Sequence, residues 1–552
     1  MMIPGTQNKA ETMSGFTIDI ARLINPTRLY ADYLRGGLAD FYRYNYTDSR
    51  AAAEIASDID KKKYNRQIIY SAVKSANGKL GASPETLANI ELLKNSDSLC
   101  VFAGQQTAFC ANPMYVIYKA MTAVKLAKRY SNSLGRPVIP CFWMATDDHD
   151  FEEVRSANFL LRSGELKRVS YQPAVDPQGY PVADIVLDEG VERFCEEVQG
   201  TLIDTEFKGS LIESFSKYYS QGYKLSEAFA QVFNKYLGEY GIVLVDPNFP
   251  GMKEHFKAVF TREINDHDRS FDLFKARSRE LTDKGYHAQV HKTRENLNLF
   301  INTPKRKNII LAGDYFSPDG SDEKYTAAQI LKIVNDSPEK FSPNVLLRPV
   351  AQCEAFPTLS HVVGPSELAY FAQIEPLYRM FEVPFPIVYP RAGMTIVEPQ
   401  VRRIVEKYEL DLPDLKNDLE HTLGVIVEKV FPSEAAGEIL ILNECVNNDL
   451  KKYADHIKDS DPDGYRHIMN FKKHIDFEIK SLQKKLKSSN KKRHDELTEQ
   501  IRRAYAFLFP DGNLQERVIS PLYYADKFGP AIFREIYANL EVEKTVHSVL
   551  VL

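Results

Sequence analysis

The rhythm of hydrophobic positions along this chain changes three times, and each change predicts a different kind of structure. Over roughly the first hundred residues apolar side chains recur at helical spacing. Tyr30, Leu34, Leu38 and Phe41 stand 4, 4 and 3 apart, which predicts one amphipathic helix from Arg28 to Tyr42. A second helix is expected from Ala51 to Gly78, and a short one from Pro84, with Leu87, Ile90 and Leu93 on one face. From Leu99 the texture shifts to short apolar runs. The run Leu99–Ala103 ends at Gly104; a helix follows Pro113, with Met114, Ile117, Tyr118, Met121 and Val124 on one side, and stops at Gly135-Arg136-Pro137. The run Val138–Met144 comes next. Strand, turn, helix and strand within about 45 residues make a βαβ unit, and apolar runs without alternation predict parallel strands buried on both faces.

Further strands are expected at Ile242–Asp246, Asn308–Leu311, Val345–Arg348 and Phe385–Tyr389, with a helix after Pro365 between the last two. Residues 155–340 break this rhythm and read as segments inserted into, or packed beside, a doubly wound sheet. After Pro399 the strands stop. Val401–Lys458 reads as nearly continuous helix interrupted near Pro432, and Asp463-Gly464 marks a turn. Ile468, Phe471, Ile475, Ile479, Leu482 and Leu486 follow at spacings of 3, 4, 4, 3 and 4, and Leu497, Ile501, Ala504 and Leu508 continue them, which predicts a coiled coil. The expected fold is α/β, with a Rossmann-like core and a C-terminal helical arm. Its parts are 1–154 (N-terminal helices and first half of the core), 155–340 (insertions), 341–399 (second half of the core), 400–510 (helical arm) and 511–552 (a segment returning towards the core).

Composition narrows the function class. At 552 residues the chain is too long for one core, which predicts two to four domains. A net charge of −5 gives no support to nucleic-acid binding. The cluster Lys484, Lys485, Lys487, Lys491, Lys492 and Arg493 is a solvated helix face or a receptor for an anionic partner. Six cysteines without Cys-x-x-Cys spacing suit a reducing cytosol. No signal peptide is recognisable, and no apolar run approaches the roughly 18–20 residues needed to span a bilayer. A cytoplasmic protein with no membrane partner is expected.

Candidate chemistry gathers at strand ends. Gly104-Gln105-Gln106 sits where the first strand meets the helical segment. There, unpaired backbone N–H groups favour anions, and two glutamine amides suit sugar hydroxyls or a carboxylate. The same residues also read as a plain polar turn. The second strand ends in Thr146-Asp147-Asp148-His149-Asp150. His149 with Asp148 or Asp150 makes an acid/base pair; a helix cap or salt-bridged turn is the alternative. Because strand side chains alternate, at most every second member of the run is expected in one site. A metal is disfavoured, since no second cluster of recognisable spacing completes a shell. A second constellation runs from Leu347-Arg348-Pro349 to Gln352, Pro357-Thr358 and Gly364-Pro365-Ser366-Glu367, the last also an ordinary helix start. Arg391, at another strand end, suits a carboxylate or phosphate, or a surface ion pair.

Taken together these blocks resemble one family, the cysteine-adding enzymes of bacillithiol synthesis, BshC. The resemblance rests on Ala103-Gly-Gln-Gln106, Pro113–Lys119, Phe142-Trp-Met-Ala-Thr-Asp-Asp-His-Asp-Phe-Glu-Glu153, Leu347-Arg348-Pro349, Gly364-Pro-Ser-Glu367 with Ala369-Tyr370, Pro384-Phe-Pro386, Pro390-Arg391 and Leu514-Gln-Glu-Arg517. It spans nearly the whole chain in order. Two departures are Asn112 before Pro113, where the family pattern has glycine, and Cys353 after Gln352, where it favours aspartate. The resemblance implies a Rossmann-like core of nucleotidylyl-transferase type, inserted connecting-peptide segments and a coiled coil that supports a homodimer. It implies a ligase that joins L-cysteine to the amine of glucosaminyl-malate. It also implies that an adenine nucleotide (ATP or ADP) can bind away from the core pocket, and leaves open whether ATP is consumed. With that chemistry His149, aided by Asp148 or Asp150, is the expected base. Gly104, Gln105 and Gln106 are expected to cradle the oxyanion, and Gln352, Gly364, Glu367, Tyr370 and Arg391 to bind substrate. Other adenylate-forming or nucleotidyl-transferring enzymes, metal-assisted hydrolysis at the Asp-Asp-His-Asp run, and a non-catalytic coiled-coil scaffold are the competing readings.

Overall fold

A computed structural model of the chain describes residues 14–430, 434–542 and 546–552. Two compact units are present, Met1–Ile396 with Asn513–Leu550, and Val397–Gly512 with Val551–Leu552. At the centre of the first lies a parallel sheet of five strands, β1 (Leu99–Gln105), β2 (Val138–Met144), β3 (Val243–Val245), β4 (Thr358–Val363) and β5 (Ile387–Pro390). The strands are ordered β5-β4-β1-β2-β3. Every residue of β2, β4 and β5 is buried, as in a sheet covered on both faces. The chain starts at β1 in the middle, runs outward through β2 to β3, and returns to the other side of β1 for β4 and β5. Strand order therefore reverses between β1 and β4. Open α/β sheets bind their ligands in the crevice at such a point, outside the carboxyl ends of the strands.

Four helices matter for the site: α1 (Arg66–Lys79), α2 (Tyr115–Leu134), α3 (Arg348–Ala355) and α4 (Pro365–Phe381). The β1-α2-β2 unit follows the expected pattern. Ile117, Tyr118 and Met121 of α2 are buried, and Gly135 ends the helix in the left-handed region at φ +64°.

Elsewhere the chain departs from its apolar rhythm for identifiable reasons. The helix expected over 28–42 stops at Leu34, because Gly36 turns left-handed and a side chain at Gly37 would meet the Asp32 carbonyl at 2.9 Å. The helix expected over 51–78 is two helices, Ala51–Asp60 and α1, since Lys61-Lys62-Lys63 offers no apolar face between them. Val345–Arg348 is not a strand. Asn344 Oδ1 accepts the N–H groups of Leu346 and Leu347 (3.0 and 3.1 Å), which bends the run into the start of α3. The strand of that region is β4, and Asn308–Leu311 lies instead in an antiparallel sheet of Phe341–Pro343, Asn296–Asn302, Arg306–Ala312 and Tyr315–Pro318. Strands also reappear after Pro399, where Val546–Val551 pairs between Ser14–Asp19 and Gly393–Val397.

In the second unit the stretch expected as continuous helix is Pro399–Tyr408, Leu412–Asn417, Leu419–Val430 and α5 (Glu434–Ile457). Glu409 at φ 51°, the Asp411 cap and Pro413 make the first break. Pro432 lies outside the described residues. Asp463 and Gly464 are no turn but the first turn of α6 (Pro462–Leu508), capped by Asp461. Helices α5 and α6 pair as the coiled-coil arm, where the Asn443 and Asn447 amides meet Asp476 Oδ1 (3.3 and 3.4 Å) in a polar layer that fixes register. Along the expected seam Leu497, Ile501, Ala504 and Leu508 are buried, whereas Phe471 and Leu482 are exposed. The side chains of Leu486, Lys487, Lys491 and Lys492 lie outside the described residues. No helix among the described residues is long and apolar enough to cross a membrane.

Gly104 is where the sheet depends most closely on one residue. A Cβ there would stand 3.0 Å from both the Cβ and the carbonyl oxygen of Trp143, so β1 and β2 must separate to admit it. Gly104→Ala is expected to cost about 1–3 kcal/mol. Gly78→Ala in α1, with open space around the added Cβ, should instead gain about 0.5–1 kcal/mol. Denaturant unfolding of the two variants checks the contrast, and equal effects would refute it.

Candidate active site

A cleft of about 400 Å³ occupies the crevice at the ends of β1 and β4. Of the residues expected to act together, Gly104, Gln105, Gln106, Asp148, Glu367 and Tyr370 line it. Its other important walls are Trp143, Asp147, Arg306, Asn344 and Arg348.

The frame of the cleft is set by Lys119, which α2 drives into the space between β1 and α4. Its ammonium is buried and donates to Gly104 O (3.1 Å), Gln105 Oε1 (2.9 Å) and Glu367 Oε2 (2.5 Å). Three acceptors satisfy its three N–H donors. Burial lowers the proton affinity of this lysine, and the Glu367 charge opposes that shift. The same Glu367 oxygen accepts the Gly364 N–H (2.7 Å), so the first turn of α4 is tied to the end of β1.

The Asp-Asp-His-Asp run divides its labour. Asp147 is answered by buried Lys253 (2.6 Å). Asp148 is held from both sides: its Oδ2 accepts from Gln106 Nε2 (2.8 Å) and its Oδ1 from the His149 N–H (2.7 Å). Gln106 Nε2 also donates to Glu153. The His149 ring does not line the cleft; its Nδ1 stands 3.1 Å from Arg306 Nη1, and burial followed by the Arg306 charge holds its proton affinity below the usual histidine value. Arginine has no lone pair to offer, so Nδ1 accepts and the neutral ring carries its proton on Nε2. Asp150 caps the short helix Phe151–Val154, its Oδ1 accepting the Glu153 N–H (3.4 Å).

Arg306 reaches the cleft from the antiparallel sheet. It donates to Ser342 Oγ and Pro343 O (both 2.9 Å) and to His149, with its guanidinium 3.9 Å from the centre of the Phe300 ring. Arg348 starts α3 and donates to Gln352 Oε1 (3.2 Å) and His361 Nε2 (3.4 Å). Gln352 is thus a buried support behind Arg348 and does not face the cleft. Burial and the Arg348 charge hold the His361 ring well below the usual histidine value. Among the described residues, the acceptors that hold these two guanidiniums are all neutral.

Arg391 is placed otherwise than the sequence suggests. Its guanidinium is buried against Glu516 (2.5 Å), whose other oxygen accepts the Met394 N–H (3.1 Å). It grips a carboxylate of the protein, outside the cleft lining. This also gives the late Leu514–Arg517 block its place, since Gln515 bonds Ile396 through both N–H and C=O (2.8 and 2.9 Å). Sequence reasoning missed Lys119, Arg306 and the part played by Arg348. The available sign for Lys119 was that it is the single charged residue in the otherwise largely apolar stretch Tyr115–Val124. Arg306, between Lys305 and Lys307, looks locally like any charged loop. Among the described residues no three His, Cys, Asp or Glu side chains gather as a metal cluster.

Comparison with known proteins covers both units. Residues 16–392 match the family described as bacillithiol biosynthesis BshC, N-terminal Rossmann-like domain, and residues 394–552 its C-terminal coiled-coil domain. A protein of Salinibacter ruber is 31% identical, the alignment covering 95% of this chain and 96% of that one. One of Koribacter versatilis is 30% identical (93% and 95% covered), and one of Prosthecochloris aestuarii 26% (97% and 99%). All three carry the name "Putative cysteine ligase BshC".

The Lys119–Glu367 pair provides a direct check on the frame. Lys119→Met leaves Glu367 without its cation and is expected to cost about 3 kcal/mol or more. Lys119→Met with Glu367→Leu should recover part of that loss, because no charge is then stranded. Equilibrium unfolding of both variants decides; a single variant as stable as the parent would disprove the cross-link.

Proposed function

The chain belongs to the bacillithiol biosynthesis BshC family, and from that premise we propose how it works as a ligase. It joins the carboxyl of L-cysteine to the glucosamine amine of glucosaminyl-malate, the last step of bacillithiol synthesis. The observation that carries this reading is the pair Arg306 and Arg348. Both guanidiniums line one cleft, and neutral acceptors hold them in place. Half-buried cations held this way leave their charge for a ligand, and bidentate guanidiniums suit carboxylates. Glucosaminyl-malate brings two.

Amide formation needs a neutral amine as the C–N bond forms. Asp148 takes the amine's proton in this scheme, since Gln106 and a backbone N–H fix it on the cleft wall. His149 keeps Arg306 in place by accepting from it, and Asp150 holds the turn that carries both. Gln105 has its carbonyl committed to Lys119, which leaves its –NH2 to donate to the oxyanion. Activation of the cysteine carboxyl comes from a co-reactant that esterifies one carboxyl oxygen. As the C–N bond forms, that C–O bond breaks and the activating group leaves with the oxygen, while the side chains named here bind, orient and move one proton. A cytoplasmic location belongs to the same reading and suits the six free cysteines, of which Cys445 is exposed.

A strain deprived of this chain should accumulate glucosaminyl-malate and lose the cysteinyl product, and persistence of that product would end the proposal. In purified protein Asp148→Asn should lower kcat by about 10²–10⁴. Arg306→Ala should raise KM for glucosaminyl-malate by about 10–100-fold. His149→Gln, which still offers an acceptor to Arg306, should retain most of kcat. Acidification through and below the ordinary histidine range protonates His149 and removes that acceptor, so KM should climb there in the parent but not in His149→Gln. An Asp148→Asn enzyme with parental kcat would move the base elsewhere.

The arm is proposed to make a homodimer. Ile441 and Leu442 on α5 and Phe471 and Phe477 on α6 are all more than half exposed, a surface that a second copy would cover. Light scattering of the full chain should return a dimer, and Phe477→Glu with Ile441→Glu a monomer. A monomeric parent rejects the assignment.

A further inference from the structure

A second cavity, of about 570 Å³, opens at the carboxyl ends of β2 and β3. Asp246, the residue after β3, lies buried in its lining. The carboxyl group accepts from Thr146 Oγ1 and from the Asn248 N–H (2.7 Å), both neutral donors. Burial pushes its proton affinity up to about 6 against the pull of those two bonds. The contrast with Asp147, one strand away, is instructive. That carboxylate has a lysine ammonium at 2.6 Å, whereas Asp246 has a hydroxyl and a backbone amide. A buried carboxylate held by neutral donors gains most from a cation brought by something else. The rest of the cavity fits such a visitor at both ends. Ala72 and Ala76 of α1 and Phe249 supply apolar wall, and Lys79, Lys224 and Glu227 are exposed in its lining, two cations to one carboxylate.

We propose that this cavity is a second ligand site, distinct from the cleft, which takes a small zwitterion. Its primary ammonium pairs with Asp246, its hydrocarbon stem lies on Ala72, Ala76 and Phe249, and its anionic end meets Lys79 and Lys224. The assignment stands on the cavity's own geometry and is independent of the ligase reading.

Ligand-observed NMR on the full chain tests it with three probes that share one stem: 4-aminobutyrate, n-butylamine and butyrate. Binding of 4-aminobutyrate is expected to be strongest, with n-butylamine weaker and butyrate undetected. Asp246→Asn should weaken 4-aminobutyrate by about tenfold or more. Ser75→Trp, placed on the exposed cavity face of α1, should block it by filling the space, and reports even if Asp246→Asn does not fold. Arg306→Ala, in the cleft, should leave it unchanged. Absence of binding, butyrate binding as well as the amines, parental affinity in Ser75→Trp, or loss confined to Arg306→Ala would each overturn the proposal.

Discussion

Lys119 places a charge where water cannot follow, and the cleft is arranged around the cost of doing so. An ammonium in a protein interior is tolerable only when every N–H finds an acceptor and its charge an opposite. The three acceptors come from three separate places: the backbone at the end of β1, the side chain next to it, and the first turn of α4. Strands β1 and β4 meet at the reversal of strand order, where the connections leave in opposite directions and open a crevice. A crevice of that kind is open by topology, and a cross-link through Lys119 fixes its width. Gly104 belongs to the same constraint, since its missing side chain lets β1 and β2 approach until Trp143 forms a wall.

Around this frame the polar residues fall into two layers. One faces the cleft: Gln105, Asp148, Arg306 and Arg348. The other carries neutral acceptors or donors to the first, from behind the cleft except for Gln106, which shares the lining. Gln352 and His361 hold Arg348, His149 and Ser342 hold Arg306, and Gln106 holds Asp148. Neutral support matters for the energetics. Had carboxylates held the two guanidiniums, their charge would be spent within the protein, as it is for Arg391 against Glu516. With one amide, two imidazoles, a hydroxyl and a carbonyl in that place, each arginine is fixed in direction while its charge stays available.

The same layering explains what could be read in the chain and what could not. The β1-α2-β2 unit was legible because a parallel strand buried on both faces is an unbroken apolar run, and Leu99–Ala103 and Val138–Met144 are such runs. β4 was not, because Thr358-Leu-Ser-His-Val-Val363 includes polar residues that look solvated until their partners are known: Ser360 bonds the Ile387 carbonyl and His361 lies against Arg348. The apolar run Val345-Leu-Leu347 misleads in the opposite sense, since burial of a turn looks like burial of a strand. Gly104–Gln106 and Asp148 could be found because they sit at the ends of legible strands. Arg306 could not, being brought in from a hairpin of another sheet, and nothing in its neighbours distinguishes it from a solvated loop arginine. Arg391 had a visible position but an invisible partner, 125 residues further along the chain.

The expectation that only alternate members of Thr146–Asp150 share a site fails for a reason that bears on both cavities. Alternation holds within a strand, and β2 ends at Met144. Beyond it the backbone turns back on itself: the Thr146 N–H donates to Met144 O (2.8 Å) and the Asp148 N–H to Ala145 O (3.2 Å). Freed from the pleat, Asp147 and Asp148 in succession line the cleft, while Met144 lines the second cavity and Thr146 bonds its carboxylate. Asn248 completes the partition, donating to Thr146 Oγ1 (2.8 Å) and to Asp147 Oδ1 (3.1 Å). A hydrogen-bonded chain, Asp246–Thr146–Asn248–Asp147, therefore runs from the lining of one cavity to that of the other. A shift of Asn248 towards either side must be answered on the other, because its two amide hydrogens are shared between Thr146, which bonds Asp246, and Asp147, which lines the cleft.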